Sequence, residues 1–281
     1  MILFKTITDI TKYISLQKSK SNSIGFVPTM GALHNGHISL LNACKSQNSI
    51  AVSSIFVNPT QFNDPKDFEK YPITLESDID VLEKNGCDVL FLPAVKEMYP
   101  GGFDTPIHYE LGYLETILEG KYRPGHFQGV CQVVHRLLSI VQPHNLYLGQ
   151  KDYQQCMVIK KLIALYHLNV NVVIGPTLRE PDGLAMSSRN MRLNEQERKQ
   201  AVTISATLSF IKKEIKPGDI TELKNKAMAN LTAANFKVDY VAIADADTLA
   251  IVDNWDGQQR IVALAAAYLN TVRLIDNMLL N

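Results

Sequence analysis

What most constrains this chain is a rhythm of short apolar, β-branched runs at 24–27, 50–57, 89–92, 146–148 and 170–174, with helix-patterned segments at 35–46, 75–85, 130–141 and 153–166 between most of them. Strands that alternate with helices pair in parallel, because each crossover helix returns the chain to the same end of the sheet. Leu137, Leu138 and Val141 share one helix face, as do Ile159, Leu162, Ile163 and Tyr166, which is the pattern of a face turned to a core. After Pro176 the rhythm changes. A polar helix over 195–213, a break at Pro217-Gly218, a helix over 220–235 and strand-like runs at 238–243, 261–267 and 272–275 read as a separate, smaller unit. The fold class is therefore α/β: a Rossmann-like parallel sheet with flanking helices over 1–176, followed by a small α+β domain over 177–281.

Open parallel sheets bind ligands outside the carboxyl ends of their strands. The polar, glycine-bearing segments of this chain fall at those ends, and four such loops are expected around one crevice. The first is Phe26-Val-Pro-Thr-Met-Gly-Ala-Leu-His34-Asn-Gly36-His37. Gly31 lets backbone approach a ligand, and a helix starting near Asn35 or Gly36 turns its N–H groups and positive dipole end toward the same place. His34 and His37 can then face one phosphate chain, whose negative charge favours their protonated forms. A zinc pair or two exposed histidines remain alternatives, although the nearest cysteine, Cys44, lies two turns further on.

Composition narrows the partners. Of 281 residues, 46% are hydrophobic and 20% charged, and Lys+Arg and Asp+Glu both number 28, so the balance argues neither for nucleic acid nor for a membrane surface. The N-terminal residues lack a basic segment followed by an apolar core, and the apolar run at 261–269 is too short to span a bilayer. The scattered Cys44, Cys87, Cys131 and Cys156 form no Cys-x-x-Cys pair, as expected of a reduced, cytoplasmic protein.

The other loops supply complementary groups. Asn58 and Gln61 bring neutral amides to the exit of the second apolar run, suited to a ligand with hydroxyls and a carboxylate, though Asn and Gln also cap loops. Gly149-Gln150-Lys151-Asp152 offers a compact cation for phosphate and an acceptor for ribose hydroxyls, with Gln155 one helical turn beyond Lys151; Asp152 is equally suited to an N-cap. The segment from Leu178 to Asn190 contains Met186, Ser187, Ser188 and Arg189, a grouping able to close over a triphosphate or to serve as a solvated linker. Arg123, in Gly120-Lys-Tyr-Arg123-Pro-Gly-His126-Phe-Gln-Gly129, either holds a carboxylate or lies on the surface. No Ser-His-Asp or Cys-His set is evident.

Taken together, Pro28 to His37, Ile55 to Phe62, Arg123 to Val130, Gly149 to Gln155 and Asp182 to Asn190 resemble the pantoate:beta-alanine ligase family of the His-x-Gly-His nucleotidyltransferase superfamily. The resemblance implies that pantoate attacks the α-phosphorus of ATP to give an adenylate, which the amine of beta-alanine converts to pantothenate. It assigns Met30, Gly31, Ala32, Leu33, His34, Asn35, Gly36 and His37 to the ATP site, with His37 in the acid role and His34 beside it on the phosphates. It likewise assigns Gly149, Gln150, Lys151, Asp152, Leu178, Met186, Ser187, Ser188 and Arg189 to ATP. His34, His37, Lys151, Ser187, Ser188 and Arg189 carry the charge stabilisation. Gln61 and Gln155 correspond to the pantoate-holding glutamines, with Asn58, Arg123 and Met30 also on the substrate side. Asp78 sits where the family often has a magnesium-associated acid, in a cluster that Ser77 makes less acidic. Mg2+ and a homodimer are implied as well.

Overall fold

The computed structural model describes residues 1–63, 65–103 and 107–281. The chain divides into two compact units, one of residues 1–149 and 158–176, the other of 150–157 and 177–281.

The first unit is built on six strands, β1 (Ile2–Phe4), β2 (Ile24–Thr29), β3 (Ile50–Ile55), β4 (Val89–Phe91), β5 (Asn145–Gly149) and β6 (Asn171–Gly175). They lie in the order β1-β4-β3-β2-β5-β6, and every pairing is parallel. From β2 the chain lays β3 and β4 to one side and then crosses to lay β5 and β6 on the other. The strand order thus reverses between β2 and β5, and the carboxyl ends of those two strands flank the switch point where such sheets take ligands.

The expected runs did not include the elements at the start of the chain. The three-residue strand β1 sits at the sheet edge against β4, too short to carry a periodic signal. The helix Ile7–Ser19 follows it, opened by the Thr6 side chain, which accepts from the Asp9 amide at 3.2 Å, and seated through Ile10 and Ile14. The helix Asn35–Gln47 buries Leu40, Leu41 and Cys44 among Val27, Ala51, Ile55, Leu90 and Tyr147, and Leu82 of the helix Leu75–Lys84 joins the same cluster. Full burial of each such leucine contributes about 2 kcal/mol, so these contacts fix where both helices begin relative to the strand ends.

The second unit has its own core. Strands β8 (Lys237–Asp245), β10 (Ile261–Leu269) and β11 (Val272–Leu279) form an antiparallel sheet in the order β11-β10-β8, and β7 (Gly218–Asp219) pairs with β9 (Asn254–Trp255). Ile204, Leu208, Ile211, Ala227 and Leu231 pack with Ile243, Ala263, Ala265 and Leu274. The expected helix over 195–213 is instead two, Glu195–Ala201 and Thr203–Glu214, separated at Val202. Its start is set by a capping box in which Asn194 accepts from the Glu197 amide at 2.9 Å and Glu197 accepts from the Asn194 amide at 2.9 Å. No helix among the described residues is long and apolar enough to cross a membrane.

Candidate active site

β2 ends at Thr29, whose hydroxyl donates to the Ser54 carbonyl and accepts from the Gly31 amide, pinning the turn to β3. Gly31 and Ala32 then take positive φ of 81° and 49°. At Gly31 a Cβ would also stand 3.0 Å from Asp78 Oδ2, so conformation favours glycine and a side chain would crowd that carboxylate. Asp78, 3% exposed, reaches under this turn from the helix Leu75–Lys84. Its Oδ2 accepts from the Ala32 amide and its Oδ1 from the Leu33 amide, both at 2.8 Å, and Thr74 Oγ1 donates to Oδ1 at 3.1 Å.

The helix start belongs to the two histidines. The Gly36 amide donates to His34 Nδ1 at 3.1 Å, the His34 amide donates to His37 Nδ1 at 3.3 Å, and the ring centroids lie 4.1 Å apart. The amides of Ala32, Leu33, His34 and Gly36 are therefore bonded within the protein. The expectation of backbone donors aimed at an anion gives way to one of imidazole donors, since a neutral ring accepting at Nδ1 carries its proton on Nε2. Met30 is half-buried next to this turn, and Asn35 is exposed.

The second strand exit is organised from beneath. Asn58 is 0% exposed: its Nδ2 donates to Thr60 Oγ1 and to the Gly129 carbonyl at 3.1 Å, and its Oδ1 accepts from Tyr99 Oη at 2.9 Å. A side chain so enclosed does not meet a ligand, so the structure moves Asn58 from substrate contact to support of the turn Pro59–Gln61. Gln61, half-buried, directs its amide Nε2 to Met30 Sδ. Its carbonyl accepts from His126 Nδ1 at 2.7 Å, and His126 Nε2 lies 3.1 Å from Arg123 Nη1. Because Arg123 can only donate, His126 accepts at Nε2 and donates from Nδ1. Arg123 itself faces Glu119 at 3.6 Å with 17% of its side chain exposed, so it is bound into the relay that ends on the Gln61 carbonyl. Gly129 allows the helix His126–Val141 to lie directly on the turn, where a Cβ would stand 2.1 Å from the Thr60 carbonyl oxygen.

In the second unit the turn Gln150–Asp152 leads from Gly149 into the helix Tyr153–Leu165. Lys151 and Asp152 are half-buried in that turn, and half-buried Gln155 follows in the first turn of the helix. Tyr153 Oη donates to the Ala246 carbonyl at 2.6 Å. The segment from Leu178 to Asn190 is more ordered than an open linker. The Met186 amide donates to the Leu178 carbonyl, Arg179 bridges Ala185, and the tip turns at Gly183 with φ 94°. Arg198 grips Asp182 through both oxygens, at 2.7 and 3.1 Å, and its guanidinium holds that carboxyl below the usual carboxylate range. Ser187 then caps a short 3-10 helix, Ser188–Arg192, by accepting from the Arg189 amide at 3.3 Å. Ser188 is buried, Arg189 half-buried and Leu178 39% exposed.

The residues present do not fit a protein-made magnesium centre. Both oxygens of Asp78 are taken by the Ala32 and Leu33 amides, and no group of three or more His, Cys, Asp or Glu suited to a metal occurs among the described residues. Asp78 is thereby reassigned from metal ligand to the support that shapes the turn before His34. A polar residue under a positive-φ turn has no sequence signature, and neither does His126 under Gln61.

The family model for pantoate-beta-alanine ligase matches residues 2–279. A pantothenate synthetase of Cytophaga hutchinsonii is 44% identical over 283 residues, covering 100% of this chain and 99% of the relative, and one of Acetivibrio thermocellus is 46% identical over 282 residues, covering 99% of each. The pantothenate synthetase structure of Thermus thermophilus superposes with a TM-score of 0.92 at 39% identity, covering 100% of this chain and 99% of that one. The pantoate-beta-alanine ligase of Francisella tularensis, solved in complex with beta-gamma ATP and beta-alanine, gives 0.82 at 41% identity over 100% and 98%. This chain belongs to the pantoate-beta-alanine ligase family.

Proposed function

We propose that this chain joins pantoate to beta-alanine at the expense of ATP, through a pantoyl adenylate, releasing pyrophosphate and then AMP. The observation that carries the reading is the His34–His37 pair, set at the carboxyl end of β2 beside the switch point, in a chain matched to the family over 2–279. In the first step a pantoate carboxylate oxygen bonds to the α-phosphorus as the bond from that phosphorus to the bridging oxygen of the leaving pyrophosphate breaks. In the second the neutral amine of beta-alanine bonds to the acyl carbon, the bond to AMP breaks, and the amine loses a proton.

The nucleophiles are the substrates themselves, so the protein's tasks are alignment and charge stabilisation. His34 and His37 donate from Nε2 to phosphate oxygens whose charge grows in the first step, with Lys151, Ser187, Ser188 and Arg189 acting on the same triphosphate. The remaining residues from Met30 to Gly36, with Gly149, Gln150, Asp152, Leu178 and Met186, shape the nucleotide's seat. Gln61 and Gln155 hold pantoate through neutral amides, which orient a carboxylate without the strong ion pair that would blunt its attack. Magnesium enters as the counter-ion of the substrate triphosphate. The working assembly is taken to be a cytoplasmic homodimer, for which light scattering should return twice the 31.4 kDa chain mass.

Incubation with ATP, magnesium, pantoate and beta-alanine tests the reading by product mass. Equal amounts of AMP and pantothenate are expected. Transfer of a nucleotidyl group to a phosphate ester, with no amide formed, would contradict it.

A further inference from the structure

The second unit contains an asparagine whose bonding has no purpose in its own strand. Asn277, on β11 opposite Leu264 of β10, is 2% exposed. Its Nδ2 donates to two successive carbonyls, that of Gln150 at 2.9 Å and that of Lys151 at 2.8 Å, and its Oδ1 accepts from Gln150 Nε2 at 3.2 Å. The preceding Asp276, 4% exposed, receives Arg179 Nη1 at 2.6 Å and Nη2 at 3.0 Å, and Arg179 also donates to the carbonyls of Gly183 and Asn277. Two consecutive strand residues therefore hold the root of the Lys151 turn and the hairpin that leads to Ser187–Arg189.

We propose that Asn277 is a positioning residue for Lys151, acting through the backbone of the Gln150–Asp152 turn, and that the adjacent Asp276–Arg179 pair ties the hairpin leading to Ser187 to the same strand. The inference rests on the reading that Lys151 meets the triphosphate. A lysine ammonium rides on a flexible four-carbon stem, so the placement of its charge depends on how firmly its backbone is held. An amide NH2 is the neutral group that can satisfy two neighbouring carbonyls at once; an aspartate there would oppose them with acceptors alone.

The test is pantoate-dependent exchange of pyrophosphate into ATP by the full chain, with N277A, K151A and the double variant beside the unsubstituted protein. N277A is expected to lower the saturated exchange rate about tenfold with the pantoate KM unchanged, since small misplacement of a charged group is costly in rate. On the K151A background it should add less than about twofold, because the two changes share one route. An unchanged rate in N277A, or an equal fold loss on both backgrounds, would overturn the proposal, the latter by marking a general structural role. If circular dichroism shows N277A to be unfolded, N277S, which keeps one donor, takes its place under the same criteria. Absence of exchange in the unsubstituted protein overturns the ligase reading itself and the proposal with it; exchange that is present but indifferent to residue 277 overturns the proposal alone.

Discussion

His34 and His37 open one helix together: the Gly36 amide ends on His34 Nδ1 at 3.1 Å, and the His34 amide ends on His37 Nδ1 at 3.3 Å. Each imidazole replaces the hydroxyl or carboxylate that usually caps a helix. The arrangement suits neutral rings with the proton on Nε2, a different state from the protonated pair that a nearby polyanion suggests from sequence. The fold thus uses the Nδ1 edge of each ring, and the proposed chemistry the Nε2 edge.

Substitutions at His37 can separate those edges. His37→Ala removes both and should slow adenylate formation about 100-fold in single-turnover quench experiments, the scale of a lost charge-stabilising donor. His37→Asn offers an oxygen close to the place of Nδ1, so the unfolding midpoint should be retained while the rate stays low. Recovery of the rate in His37→Asn would remove the donor role from Nε2.

Asp78 offers a second contrast. Its loss removes the carboxylate that both the Ala32 and the Leu33 amides use as acceptor, and Asp78→Ala should lower the unfolding free energy by about 2–3 kcal/mol in urea titrations. The magnesium concentration giving half-maximal activity should not change. A stable variant with a raised magnesium requirement would return Asp78 to the metal.

His126 meets the proposed pantoate site from beneath, donating to the Gln61 carbonyl and lying against Arg123. His126→Ala should therefore raise the pantoate KM about tenfold and leave the ATP KM within about twofold, read from initial rates with each substrate varied in turn. Equal loss for both substrates would show that the relay from Glu119 through Arg123 holds the whole unit together instead.

Alkaline pH should weaken the fold. Burial pushes the thiols of Cys44 and Cys131 up to about 12 and that of Cys87 up to about 11, and Tyr153 up to about 12. Above the ordinary thiol range an unfolded chain releases protons that the folded chain keeps, so stability is intact below about pH 8.5 and declines progressively toward pH 11–12. Urea midpoints measured at pH 8, 9 and 10 should fall in that order. A flat series would mean that these groups ionise alike in both states.

The sequence revealed what repeats or clusters. The apolar runs announced β2 through β6, and the helix expected to start near Asn35 or Gly36 starts at Asn35. Histidines, glutamines and a serine pair are legible as candidates because they cluster at the carboxyl ends of the apolar runs, and each cluster alone also has a structural reading. What stayed hidden acts across long separations: Asp78 lies 46 residues from the Ala32 amide it receives, and Asn277 lies 126 from the Lys151 carbonyl. A single buried polar residue leaves no periodic trace, and its meaning emerges only when the backbone it satisfies is in view. Val202 illustrates a local limit, since the break it makes between two helices lies within an otherwise continuous helical pattern.

The central claim is tested most directly by exchange of labelled pyrophosphate into ATP with beta-alanine withheld. Exchange that requires pantoate, and that His37→Ala depresses about 100-fold, is the expected result. Exchange without pantoate, or none in its presence, would contradict the account.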